Sequence, residues 1–175
     1  DFMKENKDHG KPFFMNLWPD DVHTPWVPEA VAEKRGEWEK RTSFIPVMAE
    51  LDRQLGRFFN AIDSLGLTDN TIVIYTADNG PAPSFKQERT CGKRGQKNSL
   101  YDGGINTPCI IRYPKLIEPG KVNNKTVLST LDLYPSLCSI CGSPTQEGYW
   151  SDGADYSKAF LGQEEPKRKE VLMWD

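Results

Sequence analysis

Apolar residues recur at spacings of three and four from Phe44 to Leu65, through Val47, Met48, Leu51, Leu55, Phe58, Phe59 and Ile62, with Glu50, Asp52, Arg53 and Arg57 between them. That period gathers the apolar side chains into one stripe and predicts an amphipathic helix with one buried face. Gly66 supplies its stop, since glycine readily takes the left-handed conformation that closes a helix. Two apolar runs flank the helix. Upstream, Pro12 to Trp18 (PFFMNLW) reads as a strand ended by Pro19-Asp20-Asp21, which delivers His23-Thr24-Pro25 to a loop. Downstream, Thr71 to Tyr75 (TIVIY) is rich in β-branched residues and suits the middle of a parallel sheet covered on both faces. Strand, helix and strand in this order predict a βαβ unit with a right-handed crossover.

Pro108 to Tyr113 is a further short apolar strand stopped by Pro114, Glu118 to Lys121 is a turn, and Val127 to Thr130 reads as one more extended piece. Asp132 is placed to cap a short helix running through Cys141, with Gly142 as its stop. The charge-rich segment from Glu29 to Arg41 has no sustained period and reads as an irregular surface excursion with a helical turn or two. The expected fold class is therefore α/β.

Composition narrows the function classes. With 175 residues, 37% hydrophobic and 27% charged, the chain has material for one globular core. A net charge of −3 with mixed signs gives no basic stripe for nucleic acid and no polybasic segment for a membrane surface. No apolar run approaches the roughly 20 residues of a bilayer span. The opening DFMKENKDHGKPFF reads as the middle of a longer protein, entered at the end of a helix just before a strand. Cys91, Cys109, Cys138 and Cys141 fit no disulfide framework, and the lone Cys138-Ser-Ile-Cys141 lacks a partner pair or a nearby His for zinc. Small buried residues on a short helix are the simpler reading of that pair.

The chemistry concentrates after the Thr71–Tyr75 strand, because such sheets keep ligands at the carboxyl ends of their strands. Asp78 and Asn79 set two hard oxygens side by side there, suited to Ca²⁺ or Mg²⁺, and Gly80-Pro81 turns the chain sharply. The Asp78-Asn79-Gly80 turn is followed by Gly95-Gln96-Lys97-Asn98-Ser99-Leu100-Tyr101-Asp102-Gly103-Gly104 and then Thr107-Pro108. Together these resemble the downstream half of a sulfatase of the arylsulfatase type, within the alkaline-phosphatase superfamily. Ser151 to Gly162 is similar to that family's Asp-Gly loop and short helix near the end of the catalytic domain.

The resemblance implies a fragment of an α/β/α sandwich with a mostly parallel, mixed central sheet. Residues 1–175 would form the C-terminal part of one catalytic domain, truncated upstream. It implies that His23 protonates the departing alkoxide and that Lys97, standing in the family's register before Asp102, contacts the sulfate. Lys93 and Arg94 compete for the lysine's role on composition alone. Asp78 and Asn79 resemble two ligands of the family's single divalent cation, usually Ca²⁺, while His9 reads as a solvated surface residue. The family's nucleophile is a formylglycine made in a Cys/Ser-x-Pro/Ala-x-Arg motif. No cysteine or serine of this chain stands in that motif, so the nucleophile and further metal ligands are expected upstream and the isolated chain is expected to be inactive.

The substrate implied is a sulfated small molecule or glycan, and the compartment implied is periplasmic, secreted or lysosomal. Trp18, Trp26 and Trp38 either line the substrate pocket or belong to core and surface packing. Exposed sheet edges would favour self-association. Two other readings stay open: a two-metal phosphomonoesterase or phosphodiesterase of the same superfamily, and an inactive homologue that binds sulfated glycans.

Overall fold

The computed structural model describes residues 1–33 and 41–173. A short helix α1 (Phe2–Asn6) opens the chain, followed by an irregular segment with one 3₁₀ turn at Glu29–Val31. The expected strand over Pro12–Trp18 does not form. A strand is stable only with a ladder partner for its N–H and C=O groups, and nothing among the described residues pairs with this run. Phe14, Leu17 and Trp18 stand exposed along it. Residues 34–40, which include Trp38 and most of the predicted surface excursion, lie outside the described residues.

The predicted amphipathic helix is α2 (Arg41–Ser64), which buries Phe44, Val47, Leu51 and Ile62 on one face and leaves Leu55, Phe58 and Phe59 half-buried. Its end is closed as expected: Gly66 has φ +70°, and Leu67 N–H donates to Ile62 C=O at 3.0 Å. Beyond it come β1 (Val73–Thr76), α3 (Asp102–Ile105), β2 (Cys109–Arg112), α4 (Leu133–Cys141) and α5 (Ser157–Phe160). Val127 to Ser129 form no strand, and Thr130–Asp132 make a 3₁₀ turn that leads into α4.

The sheet of the described residues is a two-stranded pair, β1 with β2, and it is antiparallel, with Thr76 opposite Cys109 and Val73 opposite Arg112. The expectation that β1 is a parallel strand covered on both faces, in a βαβ unit with Pro12–Trp18, is thereby corrected. The connection explains the direction. Gly80 N–H donates to Gly104 C=O at 2.8 Å, so the 77–108 loop re-enters beside the point where it left. A chain that leaves and returns at the same end of a strand must run back antiparallel, whereas a parallel partner needs a crossover. Tyr75 and Ile110 remain exposed on this small sheet.

Two apolar clusters hold the elements. Trp26, Phe44, Val47 and Phe85 form one, joining the His23 loop, α2 and the loop after β1, with Met48 and Ala82 packed against it. Tyr156, Ala159 and Phe160 form the other, where α5 meets α4 through Leu133 and Ile140. Cys138 on α4 is half-buried, but Cys141, expected inside, is exposed because the helix turns Leu133 and Ile140 toward α5 instead. No helix among the described residues is long and apolar enough to cross a membrane.

Candidate active site

The residues after β1 are shaped by backbone packed on backbone. Gly80 is buried, and a Cβ there would stand 1.9 Å from the carbonyl oxygen of Gly103. Gly103 in turn has the carbonyl oxygens of Gly95 and Arg94 at 2.4 and 2.8 Å from the place its own Cβ would take. Only glycine permits this approach. Gly103 N–H donates to Arg94 C=O at 2.7 Å and Lys97 N–H to Pro81 C=O at 3.0 Å, so the Asp-Asn-Gly turn and the Lys/Gly loop form one unit. Gly104 is packed in the same way, with the carbonyl oxygens of Ser99 and Gln96 at 2.1 and 2.6 Å from the place its Cβ would take.

The contact at Gly80 sets an expected outcome. Gly80→Ala should lower stability by about 3 kcal/mol by forcing the two loops apart, read as a lower urea midpoint. Gly56→Ala is the matched control. Gly56 lies inside α2 with nothing within 4 Å of its Cβ position, so the same change there should stabilise by roughly 0.5–1 kcal/mol.

His23 and Lys97 lie 74 positions apart in sequence, yet Lys97 Nζ is 3.3 Å from His23 Nε2. His23 Nδ1 is 2.8 Å from the carbonyl oxygen of Thr24. A carbonyl only accepts and an ammonium only donates, so the two contacts require a neutral imidazole protonated on Nδ1, with its Nε2 lone pair toward Lys97. His23 is exposed and Lys97 half-buried, which leaves both heads open to a ligand.

Trp26 is what brings the His23 loop to this place, and the sequence left its role open between pocket and core. It is 1% exposed, its indole N–H donates to Val22 C=O at 3.1 Å, and its ring stands 5.2 Å from both Phe44 and Phe85. Phe85 belongs to the loop that also carries Lys97, so one aromatic cluster tethers both catalytic candidates. Trp18, by contrast, is 87% exposed. A shallow depression of about 250 Å³, lined by Asp20, Asp21, Pro25, Val27 and Val47, flanks the His23 loop.

Asp78 is exposed at the end of the turn that leaves β1, and Asn79 beside it is half-buried. The Asn79 amide nitrogen donates to Gly80 C=O at 2.8 Å, and its Oδ1 has no hydrogen-bond partner among the described residues. Among the described residues no three His, Cys, Asp or Glu side chains gather around a common point. Asp78 and Asn79 offer two oxygen-bearing side chains, short of the about six to eight oxygens that Ca²⁺ takes. His9 is exposed in the turn after α1, in keeping with a surface role.

Asp132 stands at the N-cap position of α4 as predicted, but its side chain makes no capping bond to that helix. Ser129 caps the preceding 3₁₀ turn Thr130–Asp132, accepting from Leu131 N–H, and Asp132 closes the reciprocal half of that capping box by accepting from Ser129 N–H at 2.7 Å. Its fully buried carboxylate also accepts from Ala154 N–H at 3.0 Å and from both terminal nitrogens of Arg168, at 2.5 and 3.2 Å. This network ties the Asp-Gly loop near residue 153 to the start of α4. Nothing in local spacing could have revealed the partner, 36 positions away.

Comparison with known proteins matches residues 1–143 to the sulfatase family model. N-acetylgalactosamine-6-O-sulfatase of Bacteroides thetaiotaomicron is 33% identical over 98% of this chain and 34% of its own length. Human arylsulfatase A is 32% identical over 99% of this chain and likewise 34% of its own length. Among solved structures, Ps i-CgsB in complex with k-i-k-neocarrahexaose superposes with a TM-score of 0.80 at 27% identity, covering 94% of this chain and 37% of that one. The chain thus spans about a third of the length of the curated relatives it matches. Its architecture is that of the alkaline-phosphatase-like α/β fold, of which the described residues carry a small antiparallel part of the sheet. With the family match covering most of the chain and relatives about one-third identical along nearly all of it, the chain belongs to the sulfatase family.

Proposed function

We propose that the protein carrying this chain hydrolyses sulfate monoesters, and that residues 1–175 are the C-terminal part of its catalytic domain. The observation that carries the reading is the meeting of Lys97 Nζ with His23 Nε2 at 3.3 Å beside the Asp78-Asn79 turn. Sulfate-ester cleavage needs positive charge on the non-bridging oxygens and a proton for the departing alkoxide. Lys97 supplies the first as a compact point charge. His23 supplies the second once it is doubly protonated, when Nε2 turns from acceptor to donor at the bridging oxygen. Thr24 C=O holds the Nδ1 proton in either state and so keeps the ring oriented. Asp78 and Asn79 would hold one divalent cation, Ca²⁺ by family likeness, together with ligands from elsewhere in the protein. When bound, that cation supplies further positive charge at the sulfate. The nucleophile is proposed to be a formylglycine outside residues 1–175, since no cysteine or serine of this chain stands in the motif that forms one.

The test uses the whole enzyme and two leaving groups. His23→Ala should slow an alkyl or sugar sulfate by about 10² or more, and an activated aryl sulfate far less, because a good leaving group needs little protonation. Equal losses on both would remove His23 from the role of acid. A wild-type protein that binds sulfated glycans but turns over neither substrate would overturn the hydrolase reading.

A further inference from the structure

The segment from Lys86 to Lys97 carries five cationic side chains, Lys86, Arg89, Lys93, Arg94 and Lys97, against one carboxylate, Glu88, in a chain whose net charge is −3. Glu88 is engaged by Arg41, on α2. Among the described residues none of the five cations lies within ion-pair distance of a carboxylate, so the segment presents a net positive field with Glu88 as its one internal counter-charge. Two of the five are arginines on aromatic rings, and their settings differ. Arg89 packs its guanidinium 4.2 Å from the ring centre of Phe44 and 4.5 Å from that of Phe85, at the aromatic cluster that tethers the loop. Arg94 is exposed and lies 3.7 Å over the ring of Tyr101, which is itself half-exposed.

Resting on the hydrolase reading above, we infer that Arg94 is a specificity-determining residue that binds a second anionic group of the substrate, making that substrate a polyanionic sulfated glycan. A guanidinium seated over a ring has one face covered and keeps its N–H edges, which lie in the guanidinium plane, for a sulfate or carboxylate that takes two parallel hydrogen bonds. The stacking also restricts the side chain before the ligand arrives, so less conformational freedom is lost on binding. The backbone is fixed as well. Arg94 C=O accepts from Gly103 N–H, while Lys97 N–H donates to Pro81 C=O three residues further on. Their Cα atoms are therefore at most about 11 Å apart, within the reach of one oligosaccharide that places its scissile sulfate at Lys97 and a neighbouring charge at Arg94. Lys93, half-buried on the same loop, adds to the attraction without the fork geometry.

The experiment compares, in the whole enzyme, three disaccharide sulfates that share the scissile ester: one otherwise neutral, one with a second sulfate, and one with a uronate carboxylate. Arg94→Gln should lower the ratio of kcat/KM for an anionic disaccharide over the neutral one by roughly 10-fold, mostly through KM. Arg94→Lys should restore part of that ratio, and added salt should erode it in the wild type more than in Arg94→Gln. Which of the two anionic disaccharides loses more tells whether the second group is sulfate or carboxylate. An unchanged ratio in Arg94→Gln, or equal losses on all three substrates, overturns the assignment of Arg94. Failure of the wild type to hydrolyse even 4-nitrophenyl sulfate overturns instead the hydrolase reading beneath it.

Discussion

Asp132→Ala is expected to destabilise the protein by about 3–5 kcal/mol, because it leaves a buried guanidinium without its counter-charge. The Arg168 side chain is 6% exposed and its Nε is buried with no partner among the described residues, so apart from a long 3.5 Å bond from a terminal nitrogen to Val127 C=O its compensation comes from Asp132. The same substitution strips Ser129 N–H and Ala154 N–H of their acceptor, and the capping box at the entry to α4 opens with it. Arg168 also lies 5.3 Å over the ring of Tyr156, whose hydroxyl donates to Glu170 at 2.9 Å, so the loss spreads into the cluster around α5. Urea unfolding read by circular dichroism measures the effect as a lower midpoint. The pair itself need not add net stability, since two buried charges lose their hydration to form it. Replacing both residues together, Asp132→Leu with Arg168→Met, should therefore cost less than Asp132→Ala alone. A double variant as unstable as the sum of the two singles would mean that the two residues act independently.

Trp26→Ala should cost a similar amount, about 3–5 kcal/mol, since it empties the middle of an aromatic cluster that can collapse only partly. Its second consequence is functional. The cluster links the loop of His23 to the loop of Lys97 through Phe85, and Phe44 and Phe85 are themselves 4.9 Å apart. Without the indole, the His23 loop loses its hold on that cluster while Phe85 and Phe44 still pack on each other. In the whole enzyme, under conditions where the variant stays folded, turnover of an alkyl sulfate should fall by roughly 10-fold or more through misplacement of His23, the proposed acid. Trp26→Phe keeps an aromatic ring at the site but not the N–H bond to Val22, and should recover most of the activity. Wild-type stability in Trp26→Ala would exclude the tethering role.

The helix α2, its stop at Gly66, the strand at Cys109–Arg112 and the Gly142 stop of α4 were legible in the sequence because their causes are local. Helical period, left-handed turn residues and short apolar runs act between neighbours a few positions apart. The order of Asp78, Asn79, Lys97 and the paired glycines was legible too, and with it the family. Other features depended on segments distant in sequence. β1 reads as a parallel interior strand from its β-branched residues, yet it pairs antiparallel because Gly80 and Gly104 turn the chain back on itself. Pro12–Trp18 has strand composition but no ladder partner among the described residues. Asp132 looks like a simple cap and is instead a buried counter-ion to Arg168, 36 residues away.

By itself, the sequence determined the residue types at the site, their order and the local elements that carry them. The tertiary structure decided which of those residues meet. His23 reaches Lys97 across 74 positions because Trp26 packs on Phe85 and because glycines let two backbones touch. Such contacts follow from burying aromatic surface and satisfying backbone groups over the whole fold, and no short-range pattern encodes them.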